Sequence, residues 1–319
     1  MKRNVIGIVL VAALLSGCGP KVSEELAYGD ARVDAVYASM GAEMEHAGAF
    51  AENLCVITGD EESSDPQVNS EAAAVFGIDD QTVVFQKQAF ERLYPASITK
   101  VMTALVALKY GNLEDTVTVG EESVITEAGA SLCNIKPGDT LTMEQLLYGL
   151  MLPSGNDAGA SIAVHMAGSI EGFSDLMNRE ARALGATDTH FMNPHGLHDE
   201  NHYTTAYDLY LIFNEAFRYP EFRTIIGAKE YTASYTDGEG NAKTQTWKNS
   251  NRYLTGERET PAGLTVLGGK TGTTQAAGYC LIMASEDPEG RDYISVVLKA
   301  GSRSNLYDNM TNIIQKIVN

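Results

Sequence analysis

The run Ser97-Ile98-Thr99-Lys100-Val101-Met102-Thr103-Ala104-Leu105-Val106-Ala107-Leu108-Lys109 sets the fold class. Apolar residues at Ile98, Val101, Met102, Leu105 and Val106 recur at helical spacing, Pro95 suits a first turn, and Gly111-Asn112 ends the segment. Further helices are predicted at Met143–Met151, Ala158–Ala167 and Glu171–Leu184, so the chain from Pro95 to about Asp188 reads as mainly helical. Upstream, short runs at Leu54–Thr58, Ala72–Ile78 and Thr82–Gln86 read as an antiparallel meander, with polar Asp60–Ser70 as a flexible insertion. Strand character returns at Lys229–Tyr235, Val266–Thr271, Gly278–Ala284 and Tyr293–Ala300, before an amphipathic helix over Asn305–Val318. Strands at both ends around a helical middle imply an α/β (α+β) chain. One antiparallel sheet assembled from distant segments is flanked by helices, and a helical lobe of about 95–225 is inserted into it.

The catalytic body is expected to span 51–319. Before it, Lys2 and Arg3 precede an apolar run from Val5 to Leu15, then Ser16, Gly17 and Cys18. That order is a secretory signal, and the run is far shorter than the roughly 20 residues a membrane-spanning helix needs. Leu15-Ser16-Gly17-Cys18 also resembles a bacterial lipobox. Residues 1–17 would then be removed, Cys18 would carry a diacylglyceryl anchor, and 18–50 would be a tether on the outer face of the cell membrane. Cys55, Cys133 and Cys280 are far apart and lack CxxC or Cys/His spacing, which suits buried small hydrophobes better than disulfides or zinc ligands. The formal charge is −19, and losing the signal removes two positive charges and no acid, leaving about −21. Nucleic acid is excluded as a ligand on this ground, and an anionic substrate group must be met by a few placed basic residues.

Three short motifs occur once each, in order: Ser97-Ile98-Thr99-Lys100, Ser154-Gly155-Asn156 and Lys270-Thr271-Gly272. A Ser and a Lys three apart arise by chance roughly once in a chain this long, so the order of the three carries the weight. On a helix Ser97 and Lys100 share a face, with Ser97 at the end that favours negative charge; a helix-start serine beside an exposed lysine is the bland alternative. Ser154-Gly155-Asn156 reads as a tight loop presenting polar groups, or as a turn in which Asn156 or Asp157 caps the next helix. Gly268-Gly269-Lys270-Thr271-Gly272-Thr273-Thr274 continues an apolar strand, where glycines mark close approach by a ligand or another backbone. It is no phosphate loop, because position 264 is Leu where a glycine is required.

These residues, with Tyr94-Pro95-Ala96 before the first motif and His202-Tyr203-Thr204-Thr205-Ala206-Tyr207-Asp208, resemble the serine D,D-carboxypeptidases, the low-molecular-mass penicillin-binding proteins. The resemblance covers about Ala72 to Ala300. It implies a β-lactamase/transpeptidase-like fold, no cofactor, peptidoglycan stem peptides as substrate and β-lactams as inhibitors. Ser97 would be the nucleophile and Lys100 its base; Ser154 would shuttle a proton to the leaving D-Ala, and Asn156 would bind the substrate amide. Lys270, Thr271, Gly272 and Thr273 would form the substrate-binding strand, with the N–H groups of Ser97 and Thr273 meeting the oxyanion and Arg303 as a further carboxylate contact. His195, His198 and His202 carry a zinc-like spacing, but the resemblance makes their stretch structural, with no metal.

Two rivals remain open. A β-lactamase shares the fold and needs an acid that activates water, for which Glu171 and Glu180 are the nearest candidates. A penicillin-binding sensor would be acylated and stay so. The family often carries a C-terminal β-rich domain and a membrane helix; here the last helix is expected to pack on the sheet, with the lipid as anchor.

Overall fold

The computed structural model describes residues 54–57 and 63–319; the expected signal, Cys18 and the tether lie outside them. The chain opens with β1 (Ala72–Gly77) and β2 (Val83–Lys87), and ends with β7 (Thr265–Thr274), β8 (Gly278–Glu286), β9 (Asp292–Ala300) and a terminal helix, Arg303–Ile314. These five strands form one antiparallel sheet in the order β2-β1-β9-β8-β7, so the first and last thirds of the chain meet at β1 and β9. Alternate side chains of β1, β8 and β9 face opposite layers. Ala74, Phe76, Ile282 and Val296 join the larger core, whereas Val75, Leu281, Met283 and Val297 meet Leu306, Met310 and Ile313 of the terminal helix. Burying each of those three helical side chains stabilises the sheet by about 2 kcal/mol. Because both faces are covered, β9 reads as one apolar run without alternation.

Between β2 and β7 the chain builds the other layer. Its centre is α1 (Lys100–Tyr110), followed by β3 (Thr116–Thr118), β4 (Thr140–Thr142), α2 (Met143–Met151), α3 (Asn156–Ala167), α4 (Ile170–Ala183), α5 (Ala206–Phe217) and α6 (Pro220–Gly227). Then come β5 (Glu230–Thr236), β6 (Ala242–Lys248) and the short α7 (Arg252–Thr255), which makes the terminal helix α8. Every residue of α1 from Lys100 to Ala107 is buried, the mark of a helix surrounded on all sides.

The structure departs from the sequence reading in three places. Strand β5 belongs to a second, four-stranded antiparallel sheet, β3-β4-β5-β6, and not to the main one. Its strands are short and rich in Thr, and only a few of their side chains, such as Ala233, Tyr235 and Trp247, reach the core. Leu54–Ile57 is not a strand: the Cys55 N–H donates to Tyr210 Oη (2.9 Å), its carbonyl accepts from Tyr207 Oη (2.8 Å), and its thiol meets the Gly77 carbonyl. Side chains of α5 thus take the place of a strand partner. Within the expected flexible insertion, Ser63 N–H donates to the Gln86 carbonyl, Asp65 pairs with Lys316 (2.6 Å) and Ser70 N–H donates to Asn309.

One buried ion pair ties α1 to α4. Glu180, fully buried, accepts from Lys109 Nζ (3.2 Å) and from Tyr110 Oη (2.6 Å). Removing Glu180 takes the buried acceptor away from both the Lys109 amine and the Tyr110 hydroxyl. Glu180→Ala is expected to lower unfolding stability by about 3 kcal/mol, read as a fall in the urea midpoint at unchanged m. A change under about 1 kcal/mol would mean that Lys109 finds water instead.

Candidate active site

The turn that carries Ser97 is held from behind. Leu93 exchanges both backbone hydrogen bonds with Thr204 (2.8 and 2.9 Å), which fixes the approach to Tyr94-Pro95. Ala96 then adopts φ +48°, a left-handed conformation that costs a non-glycine residue on the order of 1 kcal/mol or more. Its carbonyl accepts from Thr99 Oγ1 (2.8 Å), and Thr99 Oγ1 lies 2.7 Å from His202 Nε2. His202 Nδ1 accepts from the Met192 N–H (3.1 Å), so Nε2 carries the proton and donates to Thr99, whose hydroxyl donates onward to Ala96. Burial pushes His202 down to about 3, which keeps the ring neutral and the relay intact at ordinary pH. Gly196, at φ +83°, packs where a Cβ would collide with the Ala96 carbonyl.

Ser97 lies in the 3₁₀ turn Ala96–Thr99 that leads into α1, and Lys100 is the first residue of α1 proper. Lys100 is completely buried, and its Nζ lies 3.0 Å from Ser97 Oγ, 2.7 Å from Asn156 Oδ1 and 2.5 Å from the His195 carbonyl. That carbonyl is presented by a turn tied to α1 a second time, through Thr103 Oγ1 to the Pro194 carbonyl (2.6 Å). Burial, and then the positive charge of nearby Lys270, hold the Lys100 amine well below the usual lysine range.

The second wall is the loop between α2 and α3. Ser154 sits at φ +67°, and its buried hydroxyl has no hydrogen-bond partner among the described residues. Two serines of the motifs thus stand in or directly after strained backbone, a pattern typical of functional sites. Asn156 opens α3, and its N–H donates to the Ser131 carbonyl (2.8 Å). Asp157, also buried, accepts from the Cys133 N–H (2.9 Å) and the Ile135 N–H (3.2 Å), so the segment 131–135 is clamped to α3.

The third wall is β7, the edge of the main sheet, whose outer backbone groups face the Ser97 turn unpaired by β8. Gly272 makes this approach possible: a Cβ there would lie 2.8 Å from the Pro95 carbonyl oxygen and 3.0 Å from the Ser97 nitrogen. Lys270 is fully buried and donates to the Thr271 carbonyl (2.8 Å), and burial lowers it to about 7. Thr271 Oγ1 meets Ser250 Oγ (2.7 Å) in a small recess of ≈ 70 Å³ that also contains Arg303. Thr273 lines both that recess and a cleft of ≈ 460 Å³ into which Ser97 and Asn156 project. A hydroxyl beside a buried amine of lowered basicity, an edge strand and a basic recess next to a cleft is the equipment of acyl transfer to serine on a substrate with an anionic end.

The sequence profile of peptidase family S11, D-alanyl-D-alanine carboxypeptidase, matches residues 60–302. The chain belongs to this family. It is 34% identical over 237 residues to the D-alanyl-D-alanine carboxypeptidase DacF of Bacillus subtilis, covering 73% of this chain and 58% of that protein. It is 37% identical over 245 residues to DacC of Escherichia coli, covering 74% and 58%. The chain therefore spans less than two thirds of the length of these relatives. The crystal structure of the Streptomyces K15 DD-transpeptidase superposes with a TM-score of 0.73 at 32% identity, covering 80% of this chain and 98% of that one.

Against this S11 frame, the structure brings Ser97, Lys100 and Asn156 into direct contact, sets Gly272 against the Ser97 turn and places Thr273 on the cleft wall. Lys270 and Ser154 lie buried rather than on the cleft surface, and Cys18 is outside the described residues. The acids considered for water activation are elsewhere: Glu180 is committed to Lys109 and Tyr110, and Glu171 is exposed in the first turn of α4. Among the described residues no cluster of His, Cys, Asp and Glu could hold a metal, and His195 and His202 act through a carbonyl and a hydrogen-bond relay. The sequence reading missed that relay, the Asp157 clamp and the acid on the cleft wall, Glu127. Only the Asn193-Pro194-His195-Gly196 turn signature hinted at the first.

Proposed function

We propose that the protein is a serine D,D-carboxypeptidase that removes the terminal D-Ala from peptidoglycan stem peptides through an acyl-enzyme on Ser97, and that β-lactams acylate the same serine. The observation that carries this reading is the Lys100 amine. It is buried, lowered in basicity and in contact with Ser97 Oγ, beside a cleft whose β7 wall adjoins the basic recess.

In this reading the substrate's terminal carboxylate meets Lys270, the hydroxyls of Thr271 and Thr273, and Arg303. Ser97 Oγ attacks the carbonyl of the penultimate D-Ala while its proton passes to Lys100 Nζ. The oxyanion is met by the N–H groups of Ser97 and Thr273. As the intermediate collapses, the C–N bond breaks, and the leaving amine takes up a proton relayed from Lys100 through Ser154. Water then cleaves the Ser97 ester and restores the free serine. The exported, lipid-anchored location belongs to the same reading and rests on Lys2, Arg3, the apolar run and Cys18.

The test is release of D-Ala from a peptide ending in Lys-D-Ala-D-Ala by the purified chain, with Ser97→Ala and penicillin labelling beside it. Release that disappears in Ser97→Ala, with slow turnover of bound penicillin, is the expected result. Rapid penicillin hydrolysis without D-Ala release would replace the proposal with a β-lactamase, and stable labelling without either turnover with a sensor.

A further inference from the structure

Asp157 is buried in the first turn of α3, and its carboxylate is held by backbone. Oδ1 accepts from the Cys133 N–H (2.9 Å) and the Ala158 N–H (3.0 Å), and Oδ2 accepts from the Ile135 N–H (3.2 Å). These donors are neutral, and no Lys, Arg or His pairs with the carboxylate among the described residues. The preceding residue, Asn156, places Oδ1 2.7 Å from Lys100 Nζ, so the charge sits one residue along the chain from a contact of the amine. The titratable groups that face Lys100 are Asp157 on α3, Cys133 on the segment clamped to it, Lys270 on β7, and His195 and His202 between α4 and α5. Burial lowers both histidines to about 3 and keeps the Cys133 thiol protonated. Lys270 and Asp157 are the two charges left around the amine, and their signs are opposite.

We infer that Asp157 is a positioning residue for acyl transfer at Ser97: its carboxylate fixes Asn156 and the 131–135 wall beside Lys100, and its charge opposes that of Lys270 at the amine. This rests on the reading of Lys100 as the base for Ser97. As Ser97 Oγ forms its bond to the carbonyl carbon, its proton passes to Lys100 Nζ and an ammonium appears in a buried site that already holds the Lys270 charge. A like charge alone makes that transfer costly, and a nearby carboxylate offsets the cost without taking up a proton, its oxygens remaining with their N–H donors. The same wall is also held by neutral groups of β6, because Gln245 Nε2 and Trp247 Nε1 both donate to the Cys133 carbonyl. Position and charge can therefore be separated: the hold from β6 carries no charge, and the hold from Asp157 does.

The test is the pH profile of penicillin acylation of Ser97 in the purified chain, for wild type, Asp157→Asn and Gln245→Leu, with circular dichroism as the control for folding. Asp157→Asn keeps the size of the side chain and an oxygen for the Cys133 and Ala158 N–H groups, but removes the charge. The ammonium form of Lys100 is then disfavoured further, so the rising limb should move toward acid by about one pH unit and the plateau should fall about tenfold. Gln245→Leu loosens the same wall without a change of charge, and should slow acylation with the limb in place. An Asp157→Asn limb at the wild-type pH, or an equal displacement in Gln245→Leu, overturns the inference and leaves Asp157 as a clamp alone. If Asp157→Asn does not fold, Asp157→Ser, which leaves room for a water on the same donors, takes its place; failure of both to fold makes Asp157 a folding residue and overturns the inference. Acylation with the displaced limb but no D-Ala release by wild type supports the inference and overturns the carboxypeptidase reading. A wild type that penicillin does not acylate overturns both.

Discussion

Gly272→Ala is expected to slow acylation of Ser97 by about a hundredfold or more while leaving the protein folded. The added Cβ would lie 2.8 Å from the Pro95 carbonyl oxygen, 3.0 Å from the Ser97 nitrogen and 3.1 Å from the Ile98 nitrogen. All three are backbone atoms, and none can swing aside as a flexible side chain would. The turn must shift away from β7, yet it is pinned on its other side by the relay from His202 through Thr99 to the Ala96 carbonyl and by Gly196. The shift is therefore taken up at Ser97, whose N–H has no carbonyl acceptor among the described residues and is the proposed oxyanion donor. Loss of one such donor costs about 10²–10³ in rate, and displacement of a nucleophile by an ångström costs about as much. The measurement is the second-order rate of labelling by a fluorescent penicillin, with circular dichroism and the melting temperature as controls. Overpacking at such a contact lowers stability by about 1–3 kcal/mol, so a folded but slowly acylated protein is the expected outcome. Acylation within threefold of wild type would show that the turn and β7 separate freely, and would remove Ser97 N–H from the oxyanion role.

The role of Gly272 also shows where sequence reading succeeds and where it stops. Glycine inside the apolar strand that becomes β7 pointed to a close approach, and the structure names the partner as the Pro95–Ser97 turn. The fold was legible where burial is two-sided and local. Strands β1, β8 and β9 are largely apolar runs, and α1 is buried on all sides from Lys100 to Ala107, with Lys100 and Thr103 as its polar exceptions. It was not legible in the second sheet, where Thr-rich β3, β4 and β6 bury few side chains and the sheet is joined through one distant pairing, Thr140 of β4 with Thr236 of β5. Nor was it legible at Leu54–Ile57, whose apolar residues look like a strand until two tyrosines of α5 take its hydrogen bonds. The site divides in the same way. Side chains with their own chemistry, such as Ser97, Lys100 and Asn156, stand out by type and spacing. The His195 carbonyl and the His202 relay do not, because a backbone acceptor leaves no mark in sequence and a buried histidine looks the same whether it binds metal, titrates or supports a turn.

The contacts of Lys100 dictate the last prediction. A protonated amine has three donors and no lone pair; a neutral amine has two donors and one lone pair. Two of its neighbours, the His195 carbonyl and Asn156 Oδ1, can only accept, so they take the two N–H groups of the neutral form. The third neighbour, Ser97 Oγ at 3.0 Å, accepts from the protonated amine and is the one neighbour that can instead donate to the lone pair of the neutral form. Burial and the nearby Lys270 charge both favour this neutral state, because each disfavours adding a proton. Lys100→Met, which keeps the length of the side chain but has no base, is expected to cut penicillin acylation by about a thousandfold. The sign of the pH dependence follows. Because the base is the unprotonated form of a group with a lowered pKa, acylation of the wild type rises as pH increases through that value, and Lys100→Met has no such limb. At the other end, Lys270, lowered to about 7, loses its charge as pH rises above that value, so carboxylate-bearing substrates bind less tightly and a falling limb in kcat/KM remains in both proteins. A Lys100→Met protein that kept the rising limb would assign it to another group, and Lys100 would then be a donor that positions Asn156 and the His195 turn rather than the base.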